Sequence, residues 1–115
     1  MDLDLSSLFA DVPMSLQLEE LPLERREGQI TLKWSKAQDE EEPIIKYTVY
    51  QRNLTESEGQ DTVLATIEDN SVCNYTVVGL ERGMKYEFTV TATNRHGEGL
   101  KGQGLQVKVS KGKQY

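Results

Sequence analysis

Seven short stretches of this chain alternate apolar and polar residues at every second position, with turn formers between them. In order they read SLQLEEL, GQITLKW, IIKYTVYQR, TVLATI, CNYTVV, YEFTVTATN and LQVKVS. A period of two gives an extended strand one dry face and one wet face. No convincing helical period is present. Many short strands with turn residues between them predict two antiparallel sheets packed face to face, because a single amphipathic sheet leaves its apolar side open. The expected fold is an all-β antiparallel sandwich of seven strands.

Parity then assigns the core. Ile30, Leu32 and Trp34 share one side of the second stretch, Ile45, Tyr47 and Val49 one side of the third, and Tyr75 and Val77 one side of the fifth. Tyr86, Phe88, Val90 and Ala92 alternate with Glu87, Thr89, Thr91 and Thr93, and Leu105, Val107 and Val109 with Gln106, Lys108 and Ser110. Trp34 and Tyr86 are the bulkiest core candidates, since a Trp in such a pattern anchors a core far more often than it forms a ligand platform. With 115 residues there is enough chain for one such core and not for two. Residues 1–12 show neither a cap nor a period and carry no basic stretch before an apolar one, so they do not read as a signal peptide. They are expected to be a linker, a neighbouring-domain remnant or added sequence. The domain is expected over 13–111, with a tail at 112–115.

One motif argues for a different chemistry. Gly97-Glu98-Gly99-Leu100-Lys101-Gly102 spells G-x-G-x-x-G, which binds a nucleotide phosphate when its glycines lead from a strand into a helix N-terminus. Here alternating strands flank it on both sides, so the predicted structure is a hairpin loop, and Glu98 would repel a phosphate. The similar loop of protein kinases needs a lysine strand and a catalytic loop that do not follow.

Other candidates are weighed by what their chemistry requires. His96 and Cys73 are the only histidine and the only cysteine. In a sandwich the start of the fifth strand and the end of the sixth lie at the same pole, so a Cys–His pair is conceivable, but Cys73 shares parity with Tyr75 and reads as a small hydrophobe, and His96 lacks an evident orienting partner. The two are also too few for a structural zinc. The run Asp39-Glu40-Glu41-Glu42 lacks the interleaved glycine and carbonyl ligands of a calcium loop and reads as a solvated loop. A formal net charge of −6 disfavours nucleic acid and anionic lipid, and no apolar run reaches the length of a membrane span. A lone cysteine excludes an internal disulfide and fits a cytosolic chain or an unbridged extracellular one. Two N-glycosylation sequons, Asn53-Leu54-Thr55 and Asn74-Tyr75-Thr76, favour the extracellular case. Both asparagines are expected to be accessible, Asn53 in the loop after the third strand and Asn74 pointing away from Tyr75.

Trp34, Tyr47 with Val49, Leu80 with Gly83 and Tyr86, and Ala92 with Asn94 and Gly97 resemble, in order and spacing, the pattern of the fibronectin type III module. The resemblance spans about residues 13–111. It implies an immunoglobulin-like sandwich with strands A to G, and a tyrosine corner in which the Tyr86 phenol bonds back to backbone near Leu80. Arg82 departs from the pattern, standing where the family usually has proline, and the A strand is ambiguous between SLQL and ELPL. The R-G-D of some members and the W-S-x-W-S of cytokine receptors are missing, so neither function carries over.

The resemblance implies a non-enzymatic protein-binding and spacer module of a larger cell-surface or extracellular receptor or adhesion protein. It would need no cofactor or metal and be monomeric in isolation. Its partner would be a protein or the neighbouring domains of the same chain, with no nucleic acid and no direct membrane insertion. The alternatives are a module of an intracellular cytoskeletal or muscle scaffold, or the accessory module of a larger enzyme. Two binding surfaces compete. One is the polar face of strands C, F and G, with Lys46, Thr48, Tyr50 and Arg52 beside Thr89; the other is the loop pole that gathers Asp39–Glu42, Arg95, His96, Glu98, Leu100 and Lys101. Tyr and Arg are the residue types enriched at hot spots, and glycine-rich loops lose more entropy on ordering. The face is therefore preferred.

Overall fold

The computed structural model describes residues 12–21, 28–37, 42–55 and 59–109. Most of the expected linker, the tail and Asp39–Glu41 lie outside the described residues. Eight strands form: β1 (Leu18–Glu20), β2 (Ile30–Trp34), β3 (Lys46–Asn53), β4 (Thr62–Ile67), β5 (Asn74–Val77), β6 (Lys85–Asn94), β7 (Gly97–Glu98) and β8 (Leu105–Lys108). They build a three-stranded sheet in the order β1-β2-β5 and a five-stranded sheet in the order β4-β3-β6-β7, with β8 also on β6. All pairings are antiparallel. Seven strands match the seven alternating stretches. The eighth, β7, folds back on Thr93 and Asn94 and leaves Arg95 and His96 as the turn.

The inner faces of the sheets meet in one cluster containing Ile30, Leu32, Trp34, Tyr47, Val49, Val77, Tyr86, Phe88, Val90, Ala92 and Val107. Trp34 from one sheet meets Tyr47 from the other edge to face, with ring centroids 5.5 Å apart, a geometry that aromatic quadrupoles favour. The A-strand ambiguity resolves at Leu18, which lies opposite Trp34.

Ile45 breaks the parity reading: it is 50% exposed, and Ile44 is buried in its place at 6%. Regular β3 begins only at Lys46, so alternation cannot be extended backwards to residue 45. A second break is in β4. Val49 lies opposite Ala65 but Tyr50 lies opposite Val63, so a bulge inserts Leu64. An extra residue flips the parity of what precedes it, and Val63 emerges beside Tyr50, 60% exposed.

At the end where β6 begins, Glu81–Met84 form a turn closed by Met84 N–H donating to Glu81 O at 3.3 Å. Gly83 has φ 81°, and among the described residues only glycines have positive φ, which makes this a type II turn with Arg82 at its second position. The Tyr86 hydroxyl accepts Glu81 N–H at 3.0 Å, and Leu80 N–H donates to Gly28 O at 3.0 Å. Tyr86 and Leu80 are both buried.

Candidate functional site

The outer face of the five-stranded sheet is built by strict ladder pairing. Thr48 lies opposite Thr91, Tyr50 opposite Thr89, and Arg52 opposite Glu87. The centre of this face is drier than a solvated sheet face: Thr48 and Thr89 are buried and Thr91 is only 1% exposed. Threonine is short, and longer neighbours close over it.

Tyr50 is the hub of that cover. Its hydroxyl donates to Glu98 Oε2, and Thr91 Oγ1 donates to the same oxygen at 2.6 Å. Lys101 Nζ stands 3.9 Å above the centre of the Tyr50 ring, within cation–π range, and reaches Asp61 Oδ2 at 2.7 Å. Asp61 also faces Arg52 Nε at 3.6 Å. Burial first, then the hydrogen bond to Glu98 and the negative charge of Glu98, push the Tyr50 phenol up to about 12. Burial would raise Glu98, but hydrogen bonds from Thr91 and Tyr50 and the charge of Lys101 outweigh it and hold the carboxyl below its usual range.

Tyr50, Arg52 and Lys101 are therefore joined, two from the sheet face and one from the glycine-rich loop, and Leu100, which precedes Lys101 in the chain, is 55% exposed. Glu98 and Lys101, assigned on sequence alone to the competing loop surface, thus meet the Tyr50 side of the sheet face. Thr89 belongs to its floor, since it is buried and its hydroxyl has no hydrogen-bond partner among the described residues. Val63 adds an apolar side chain that the sequence reading did not single out, because no alternation rule announces a bulge.

The glycines that spell the nucleotide motif have another use. A Cβ on Gly99 would stand 2.3 Å from Pro13 O and 3.0 Å from Ala92 O, and one on Gly102 would stand 2.5 Å from Leu16 O. Main chain from Pro13 to Leu16 thus lies directly on the loop, and only glycine leaves it room.

At the same end Glu42 joins the loop before β3 to the β6–β7 turn. Arg95 approaches it through Nε at 2.8 Å and Nη2 at 2.9 Å, and His96 Nε2 approaches at 3.0 Å. Hydrogen bonds from His96 and then Arg95 hold the Glu42 carboxyl below its ordinary value. His96 so has an orienting partner, and its backbone N–H is fixed by Asn94 Oδ1 at 2.8 Å. Cys73 donates to Tyr47 Oη at 3.9 Å, and Tyr47 lies opposite Ala92 near the end of β6; burial is the main cause that raises the Tyr47 phenol. No group of three or more potential metal ligands is present among the described residues.

The sequence model of the fibronectin type III domain matches residues 18–108. Contactin-1 of Gallus gallus is 34% identical over 89 residues, which cover 76% of this chain and 8% of that protein. Protein sidekick of Drosophila melanogaster is 39% identical over 66 residues, or 57% of this chain and 3% of the relative. The chain spans less than a tenth of the length of these curated relatives. Among solved structures, domains A168–A170 of titin align with a TM-score of 0.70 at 19% identity, over 87% of this chain and 33% of theirs. The FN5 domain of Drosophila Lar aligns at 0.65 and 23% identity, covering 88% of this chain and all of that one. No helix of the described residues is long and apolar enough to cross a membrane.

Proposed function

The chain belongs to the fibronectin type III family, and from that premise we propose that it is a non-catalytic recognition and spacing module of a larger cell-surface adhesion protein. The observation that carries the reading is the seat of Lys101 over Tyr50, which joins loop and sheet into one patch. Tyr50, Arg52, Leu100 and Lys101 meet the partner, Val63 widens the apolar area, and Thr89 supports them from below. Such a patch suits a protein partner: it has an aromatic anchor, apolar neighbours and paired charges of both signs. Similarity to contactin-1 and sidekick supports the cell-surface setting; the likeness to titin is one of fold.

The test is cell aggregation driven by the full parent chain. Tyr50→Ala and Lys101→Ala should each weaken partner binding by about fivefold or more, the effect of a residue worth 1 kcal/mol. Lys33→Ala, on the outer face of the other sheet, should change nothing. The reverse pattern would mean that the partner uses the three-stranded sheet.

A further inference from the structure

The two sequons occupy opposite kinds of place. Asn74 opens β5, which among the described residues is an edge strand paired with β2 alone, and is exposed. It lies opposite Lys33 in the ladder, and strand parity puts it on the outer face of the three-stranded sheet with Lys33 and Thr76. Thr76 Oγ1 is within 3.0 Å of Thr31 Oγ1, so the sequon backbone is extended and fixed with its asparagine outward.

Asn53 ends β3 opposite Tyr86, with the inward parity of Tyr47 and Val49. It is half-buried and lines a polar cleft of about 340 Å³ with Gln51, Glu81 and Tyr86. Its Oδ1 accepts Thr55 N–H at 2.9 Å, an Asx turn. Leu54 N–H donates to Lys85 O at 2.7 Å, and Thr55 Oγ1 accepts Lys85 N–H at 2.8 Å. All three residues of that sequon are fastened, two of them directly to the start of β6.

We propose that Asn74 carries an N-linked oligosaccharide, that Asn53 does not, and that the glycan screens the three-stranded sheet so that partners dock on the Tyr50–Lys101 face. This rests on the cell-surface setting proposed above. The donor class is an oligosaccharyl pyrophosphate: its C1–O bond breaks, the Asn74 Nδ2–C1 bond forms, pyrophosphate leaves with the electron pair and Nδ2 gives up one proton. A large hydrated glycan needs an amide that leads into solvent, which the outward side of β5 supplies. At Asn53 it would have to leave a cleft walled by the tyrosine corner. A glycan on β5 also shields an open sheet edge, the surface by which β proteins aggregate.

The chain is secreted from a glycosylating cell behind a cleavable signal peptide, and intact mass is read with and without N-glycosidase. Peptide mapping then finds the aspartate that deglycosylation leaves. One glycan is expected, at Asn74, lost in Asn74→Gln and kept in Asn53→Gln. An unmodified chain, a glycan at Asn53 alone, or two sites of comparable occupancy overturns the assignment. Hydrogen exchange on the glycosylated and deglycosylated chain should differ in β1, β2 and β5; differences centred on the Tyr50–Lys101 face would overturn the screening role. Forced secretion makes this outcome independent of where the parent chain resides, which the glycan status of the parent on intact cells decides separately.

Discussion

Where β6 begins, the sandwich is closed by Tyr86, a type II turn and bonds between neutral backbone groups around buried side chains. Where β6 ends, closure depends on Glu42, Arg95 and His96 at the surface and on main chain laid across Gly99 and Gly102. The first end draws its strength from burial, where an unmade hydrogen bond costs the full desolvation of the group. The second draws it from shape, in the glycine seam, and from charges that water already satisfies in part. The two ends should therefore fail under different perturbations: the first under loss of one atom, the second under added volume or altered protonation.

The largest expected effect is at the glycine seam. Gly99→Ala places a methyl group against two backbone oxygens that cannot rotate away, so the Pro13–Leu16 segment or the loop must shift. A loss of about 3 kcal/mol, the upper end of overpacking, is expected in denaturant melts. An unchanged midpoint would show that the segment lifts freely and that the two ends differ less than the contact implies.

Next comes Tyr86→Phe, which removes the acceptor of Glu81 N–H and should cost about 1 to 3 kcal/mol. Equal melting of the variant and the parent would remove the tyrosine corner from the closure of its end. A smaller change of opposite sign is expected from Arg82→Pro. The second position of a type II turn suits proline, and the stiffened unfolded chain should raise stability by about 0.4 to 1 kcal/mol.

The smallest effect at neutral pH is expected from Glu42→Gln. Because the folded state lowers the Glu42 carboxyl, its stabilisation is present above the ordinary value of 4.5 and lost as pH falls through the lower folded value. Denaturant midpoints of parent and variant should differ little in high salt, differ most in low salt above pH 4.5, and converge in acid. A gap that persists in acid would mean that Glu42 acts by packing instead of charge.

Much of this was legible in the residues. Alternation in YEFTVTATN and LQVKVS identifies which side of β6 and β8 is buried, because parity within a regular strand is dictated by the pleat. The turn from Leu80 through Gly83 to Tyr86 is implied by the family resemblance, and Gly83 suits it because positive φ favours glycine. Parity misled at Ile45 and gave no warning of Val63, since a strand start and a bulge are set by the partner strand. The outer face read as a flat polar surface, yet Thr48, Thr89 and Thr91 at its centre are dry, because which long side chains close over them depends on neighbours remote in sequence.

Local chemistry thus determined the strands, their buried sides and the hairpin that replaces a phosphate loop, because each depends on residues one or two positions apart. Tertiary structure alone decided that Lys101 rests on Tyr50, that Glu42 gathers Arg95 and His96, and that Gly99 and Gly102 make room for Pro13 and Leu16. It also separated two sequons of the same spelling into an exposed edge and a stitched turn. These are contacts between segments tens of residues apart. Their geometry is set by how two twisted sheets stack and where each loop must return, which no local pattern encodes.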